Sequence, residues 1–185
     1  MKNIIKLAGT LCVITFIAAF LLAGTNSLTK DRIAAAAAEK QQSAMRALLP
    51  EAESFEPFND KENIYLGINQ NGEAVGFCVT AVSSGYGGNI EMMVGIDGDL
   101  KLSGVEILSN SETAGLGANC TKEDFKAQFK GLEYPVTIVK GAASGSDQAS
   151  AITGATITSN AVASGINAAC EELNNALIEF VGGDK

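Results

Sequence analysis

Apolar positions follow three patterns along this chain: an unbroken run, then alternation, then a spacing of three and four. The run is Leu7 to Gly24 (LAGTLCVITFIAAFLLAG), 18 residues in succession without a charge, and Ile4 and Ile5 extend it beyond Lys6. About 20 such residues cross a bilayer as a helix. A cleaved signal peptide would have a shorter apolar core, about 7–15 residues, followed by a small-residue cleavage site. Leu21-Leu22-Ala23-Gly24 begins like a lipoprotein cleavage site, but Thr25 stands where the lipid-bearing cysteine must be. The segment is therefore expected to remain as an anchor. Lys2 and Lys6 precede it without an acidic residue, and the mixed set Lys30, Asp31 and Arg32 follows it. The positive-inside rule then leaves the N-terminus in the cytoplasm and the remainder outside, in a single-pass topology at the cell (inner) membrane.

Residues 28–49 are strong helix formers that stop at Pro50. A polar stretch reaches about Glu62, and strand-like segments follow. Asn63–Asn69 and Glu73–Ser83 flank the turn Gln70-Asn71-Gly72, and Asn89–Ile96 and Leu100–Leu108 flank Asp97-Gly98-Asp99. Thr121–Phe129 predicts a short helix with Thr121 as N-cap and Phe125 and Phe129 on one face. Pro135–Val139 reads as a strand and Gly141–Ser150 as a flexible loop. From Asn160, Val162, Ile166, Ala169, Cys170, Leu173, Leu177 and Phe180 mark one face of a helix ending near Gly182-Gly183. The class is α+β, with a mixed or antiparallel sheet and flanking helices.

Composition removes many chemistries. The chain has no histidine, which excludes Ser-His-Asp and Cys-His catalysis, histidine-ligated haem and most zinc sites. With 13 basic against 21 acidic residues, a net charge of −8 and no basic patch, nucleic acid is not the partner. Cys12, Cys78, Cys120 and Cys170 are too far apart for a metal or cluster motif. They read as free thiols acting as small apolar side chains, with one disulfide among the last three left open. No catalytic and no metal-ligating residue is expected.

Three segments exceed this background. Gly85-Tyr86-Gly87-Gly88 joins two strands, and Glu112-Thr113-Ala114-Gly115-Leu116-Gly117 follows another. Each taken alone is a tight turn. The third is Thr153-Gly154-Ala155-Thr156-Ile157-Thr158-Ser159, with four hydroxyls just ahead of the last helix. Capping by Thr158 or Ser159 is its ordinary role. Glycine loops suit a planar ring and a helix N-terminus suits an anion, so the three together suit a nucleotide with one phosphate. Neither Gly-x-Gly-x-x-Gly nor a Walker phosphate loop is present. A threonine bonded covalently to phosphate is the alternative, and without histidine it needs activation by another enzyme.

Thr153-Gly154-Ala155-Thr156 resembles the [Ser/Thr]-Gly-Ala-Thr motif of covalent FMN-binding domains, GYGG at Gly85–Gly88 resembles that family's GYGG, and ETAGLG at Glu112–Gly117 resembles its ETPGLG with Ala114 for proline. Asp147 resembles the aspartate preceding the motif, across a longer interval. The resemblance implies FMN transferred from FAD by a flavin transferase onto Thr156 through a phosphoester, with Thr153, Gly154 and Ala155 completing the recognition motif. It implies Tyr86, Gly87, Glu112, Thr113, Leu116 and Gly117 around the flavin, and a phosphate near the start of the 160–181 helix. By size and single anchor the chain is most similar to the G-subunit family of Rnf-type ion-translocating electron-transport complexes. Their other membrane subunits would then be partners, and the chain would be a redox subunit in ferredoxin/NAD electron transfer, with no activity of its own. A subunit of the sodium-translocating NADH:quinone reductase type, or an anchor without flavin, are the alternatives. The implied organisation is 1–27 N-terminus and anchor, 28–62 helical connector, and 63–185 extracytoplasmic FMN-binding domain.

Overall fold

The computed structural model describes residues 2–59 and 61–182. The chain divides into two compact units, Met1–Lys40 and Gln41–Lys185. Helix α1 (Lys2–Leu48) runs without a break from the first into the second. The apolar run and the helix predicted over 28–49 are thus one helix. No proline interrupts them, and the one glycine near their junction, Gly24, weakens a helix by only about 1 kcal/mol. Among the described residues this is the one helix long and apolar enough to cross a membrane. Pro50 ends it, because the residue before a proline is disfavoured in helical conformation.

In the second unit the alternating segments form an antiparallel meander: β1 (Ser54–Pro57), β2 (Ile64–Ile68), β3 (Ala74–Ser84), β4 (Asn89–Asp97) and β5 (Leu102–Ser109), paired in that order. Both predicted hairpins are present. Gly72 closes the first at φ 79°, and the Asp97 carboxylate accepts the Asp99 and Lys101 amides in the second. β1 lies inside the stretch read as polar connector. It is an edge strand, where Pro57 removes no needed donor, so its short apolar content does not announce it.

Then come α2 (Glu123–Lys126), β6 (Thr137–Val139), β7 (Gln148–Ser150) and α3 (Thr156–Gly182). The helix predicted over Thr121–Phe129 is corrected to one short turn between two 3₁₀ turns. Thr121 does not cap it: the hydroxyl donates to the Ala118 carbonyl at 2.9 Å. Phe125 and Phe129 do meet, edge to face at 5.1 Å. The expected flexible loop 141–150 contains β7, which pairs parallel with β6. The Ser150 amide donates to Gln128 Oε1 at 2.8 Å, a tie that no local pattern reveals. α3 begins at Thr156, four residues before the expected Asn160, and is described to Gly182; Gly183 lies outside the described residues.

Both faces of the sheet are covered, so β4 reads buried on consecutive positions from Met92 to Ile96. One face, with Ile64, Val79, Met92, Val94 and Ile96, packs on the Val162, Ile166, Ala169, Cys170 and Leu173 stripe of α3. Of the predicted stripe only Phe180 is exposed, although its ring lies 5.4 Å from that of Phe58. On the other face Cys78 and Met93 meet Ala44, Met45, Leu48 and Leu49 at the end of α1. Two cross-strand glycine pairs, Gly67↔Gly76 and Gly95↔Gly104, leave the trough that seats these leucines. A Cβ at Gly95 would fall 2.8 Å from Leu48 Cβ, and one at Gly67 3.0 Å from Leu49 Cδ1. Burying each leucine contributes about 1.5–3 kcal/mol.

Candidate functional site

Three loops converge beside the start of α3. The β3–β4 hairpin carries Tyr86, the segment after β5 carries Glu112 to Gly117, and a turn with Gly154 at φ 78° leads into the helix. Together they enclose a cavity of about 450 Å³ lined by Tyr86, Glu112, Thr113, Leu116, Gly117, Gly154, Ala155, Thr156, Ile157 and Thr158. Eight of the residues expected from the sequence line it. Gly87 and Thr153 do not: Gly87 stands behind, donating its amide to Glu112 Oε1 at 2.8 Å, and Thr153 is exposed on the turn. Asp147 is also outside, its carbonyl accepting the Thr137 amide on the β6–β7 side. Ile157 and Thr158 are additions that the motifs do not place here. For Ile157 the legible signal is an apolar residue, 56% exposed, in the first turn of a helix.

The hydroxyl run separates into distinct roles. Capping is the ordinary expectation for Thr158 and Ser159, and neither is a cap. Both lie inside the helix, whose first backbone bond runs from the Ser159 amide to the Ala155 carbonyl. Ala155 therefore holds the cap position, with no side-chain oxygen for the first-turn amides. Thr158 is buried and donates to Glu112 Oε2 at 2.6 Å. Ser159, fully buried, donates to the Ala155 carbonyl and accepts the Ile152 amide at 2.9 Å, fixing the turn to the helix. The half-buried Thr156 hydroxyl has no hydrogen-bond partner among the described residues.

The lining combines the apolar side chains of Tyr86, Leu116 and Ile157 with the N-terminus of α3. It contains no lysine or arginine and one carboxylate. A volume near 450 Å³ is within the range of about 300–1,000 Å³ typical of small-molecule sites. A planar aromatic body with one anionic end fits this distribution, the anion at uncapped backbone amides. Below the cavity, burial and then the nearby Glu112 charge push the Cys120 thiol up, so it is poorly suited as a nucleophile. All four cysteines are free, which closes the disulfide left open by spacing.

Comparison with known proteins agrees with this geometry. Residues 85–171 match the FMN-binding domain family, and residues 1–48 match the RnfG N-terminal region. The chain is 34% identical to the G subunit of the proton-translocating ferredoxin:NAD(+) oxidoreductase complex of Clostridium ljungdahlii, over 98% of this chain and 96% of that one. It is 36% identical to the G subunit of the Na(+)-translocating ferredoxin:NAD(+) oxidoreductase complex of Acetobacterium woodii, over 94% and 93%. Among solved structures, Shewanella oneidensis NqrC matches at a TM-score of 0.53 with 18% identity, over 64% of this chain and 65% of that one. The C subunit of the Na(+)-translocating NADH-quinone reductase of Parabacteroides distasonis matches at 0.50 with 26% identity, over 57% of each. The chain thus spans less than two thirds of these solved relatives.

Fold and cavity define an FMN-binding domain of α+β class joined to a helix long enough to cross a membrane. The family follows from identity that extends over nearly the whole chain. The chain belongs to the G-subunit family of ion-translocating oxidoreductase complexes.

Proposed function

We propose that this chain is the FMN-bearing electron-transfer subunit of an Rnf-type membrane complex, with the flavin held through a phosphoester on Thr156. The observation that carries the threonine assignment is the sorting of hydroxyls. Thr158 and Ser159 are committed to Glu112, Ala155 and Ile152, and Thr153 lies off the cavity. Thr156 lines the cavity with an uncommitted hydroxyl on a helix N-terminus. The lining holds no lysine or arginine, so only the first-turn amides would hold a phosphate without a bond, and this supports a covalent tether beside them.

Thr156 Oγ1 would hold the FMN phosphate as a phosphoester, formed from FAD by a flavin transferase with AMP as the leaving group and the hydroxyl proton passing to that enzyme. Bound FMN supplies one- and two-electron chemistry. The protein's residues would supply placement: Tyr86, Leu116 and Ile157 are the apolar side chains that would shield a ring from water, and the first turn of α3 would hold the phosphate. Glu112, Thr113, Gly117, Gly154 and Ala155 complete the enclosure, with Gly87 and Thr153 behind and beside it.

The relatives' names carry the wider reading: transfer between ferredoxin and NAD⁺ coupled to movement of Na⁺ or H⁺ by the assembled complex, whose membrane subunits are the partners. The charge bias around the apolar run supports a cytoplasmic N-terminus and an extracytoplasmic domain. In this organisation residues 1–27 are the anchor and 28–62 the connector, whose last part, the end of α1 and β1, packs into the flavin domain that continues through 63–185. The test is fluorescence at the protein band of a denaturing gel after co-production with a flavin transferase. Wild type and Thr158→Ala take the label, and Thr156→Ala is dark. A dark wild-type band beside an active transferase defeats the proposal.

A further inference from the structure

Glu112 is placed unlike the rest of the lining. One carboxylate oxygen accepts the Gly87 amide at 2.8 Å and the other accepts the Thr158 hydroxyl at 2.6 Å. The donors come from chain segments 25 and 46 residues away. The residue itself is held from behind, because the Glu112 amide donates to Asn110 Oδ1 at 3.1 Å. Two glycines make the space: a Cβ at Gly85 would land on Oε1, and one at Gly117 would land on Oε2 and 2.6 Å from the Thr158 hydroxyl. No lysine or arginine pairs with Glu112 among the described residues. A side chain with both oxygens already accepting from protein donors is a poor ligand, and a good brace.

We propose that Glu112 is a positioning residue: it ties the Tyr86 loop to the helix turn bearing Thr156, and its uncompensated charge lowers the reduction potential of a flavin in the cavity. Two backbone segments that touch the same ligand are thereby fixed to one carboxylate before the ligand arrives. Charge and bracing are separable. Gln keeps an oxygen for the Gly87 amide and an amide group for the Thr158 hydroxyl, while losing the charge. Ala loses all three.

The bracing half concerns the chain without flavin, and the potential half rests on the covalent-flavin reading above. The first experiment is hydrogen exchange by mass spectrometry on the full unlabelled chain, in detergent. In Glu112→Ala, peptides covering Gly87 and the hydrogen-bonded amides of Ala155 and Ser159 beside Thr156 both exchange faster, by about five- to thirtyfold, as expected for loss of one or two kcal/mol of local protection. Glu112→Gln stays close to wild type. Adding Thr158→Val to Glu112→Ala speeds exchange around Thr156 no further, since both remove the same bond. Acceleration confined to residues 110–117, or full additivity of the two substitutions, overturns the brace.

The second experiment is redox titration of the labelled chain. In the chains that carry the label, Glu112→Gln shifts the midpoint to a more positive value, and an unchanged midpoint overturns the role of the charge. A wild-type chain that takes no label strikes the covalent reading instead, and the exchange result still decides the brace.

Discussion

The trough that seats the end of α1 and the nest that holds Glu112 are both built from glycines, yet the missing side chains serve opposite chemistry. Gly67, Gly76, Gly95 and Gly104 make room for Leu48 and Leu49, side chains held by apolar contact alone. Gly85 and Gly117 make room for a carboxylate and a hydroxyl held by directed hydrogen bonds. Apolar packing has no direction, so intrusion there costs stability in proportion to volume and strain. The polar nest is tied to angles and distances, and intrusion costs orientation. The difference assigns separate consequences to substitutions of one residue type within a single domain.

The largest effect is expected in the nest. Gly117→Val must displace both the Glu112 carboxylate and the Thr158 hydroxyl, and labelling of Thr156 should fall by more than about tenfold, the equivalent of about 1.4 kcal/mol. Gel fluorescence and the melting temperature, read together, separate lost orientation from unfolding. A folded Gly117→Val chain that labels normally erases the contrast. In the trough, Leu48→Ala removes a side chain 6% exposed and should cost about 2–5 kcal/mol in chemical denaturation while the folded fraction still labels. Gly95→Ala, with its Cβ 2.8 Å from Leu48 Cβ, should cost about 1–3 kcal/mol by overpacking, again without loss of label.

The smallest effect is a pH dependence. Burial pushes the Cys78 thiol, under the α1 end, up to about 12 and Cys170, on the buried face of α3, up to about 11. Each is raised above the ordinary value of 9.0, so its contribution is complete below pH 9 and fades as pH rises toward those values. Lys126 adds to the same trend. Desolvation lowers its value, but hydrogen bonds and charge from Glu106 and Glu123 outweigh that and leave it raised. Denaturation midpoints should be flat from pH 7 to about 8.5 and decline above 9. A rise above pH 9 would contradict the sign.

Local sequence patterns announce the hairpins at Gly72 and Asp97 and the apolar stripe of α3, because turn chemistry and periodicity act within a few residues. The loops of the site are visible as motifs by family resemblance. What stays hidden depends on distant partners. A glycine inside a strand reads as a weakness until register sets Gly95 beside Gly104 and the end of a helix over both. Thr158 reads as a cap until Glu112, 46 residues earlier, takes its hydroxyl. β7 reads as loop because its pairing with β6 and its tie to Gln128 lie outside any local pattern.

The sequential order of the meander also sets a timetable. Every strand from β1 to β5 pairs with its neighbour in the chain, so the sheet needs nothing beyond Ser109 to close its ladders. Such nearby contacts form early and fast. The cavity, by contrast, has no third wall until the turn at Gly154 and the start of α3 arrive. A transferase that recognises the assembled cavity around Thr156 would pass over a nascent or truncated chain, however well its sheet had formed. On the proposed covalent reading, attachment of the cofactor would then double as an inspection of finished folding, and flavin would mark only those chains whose C-terminal helix has docked.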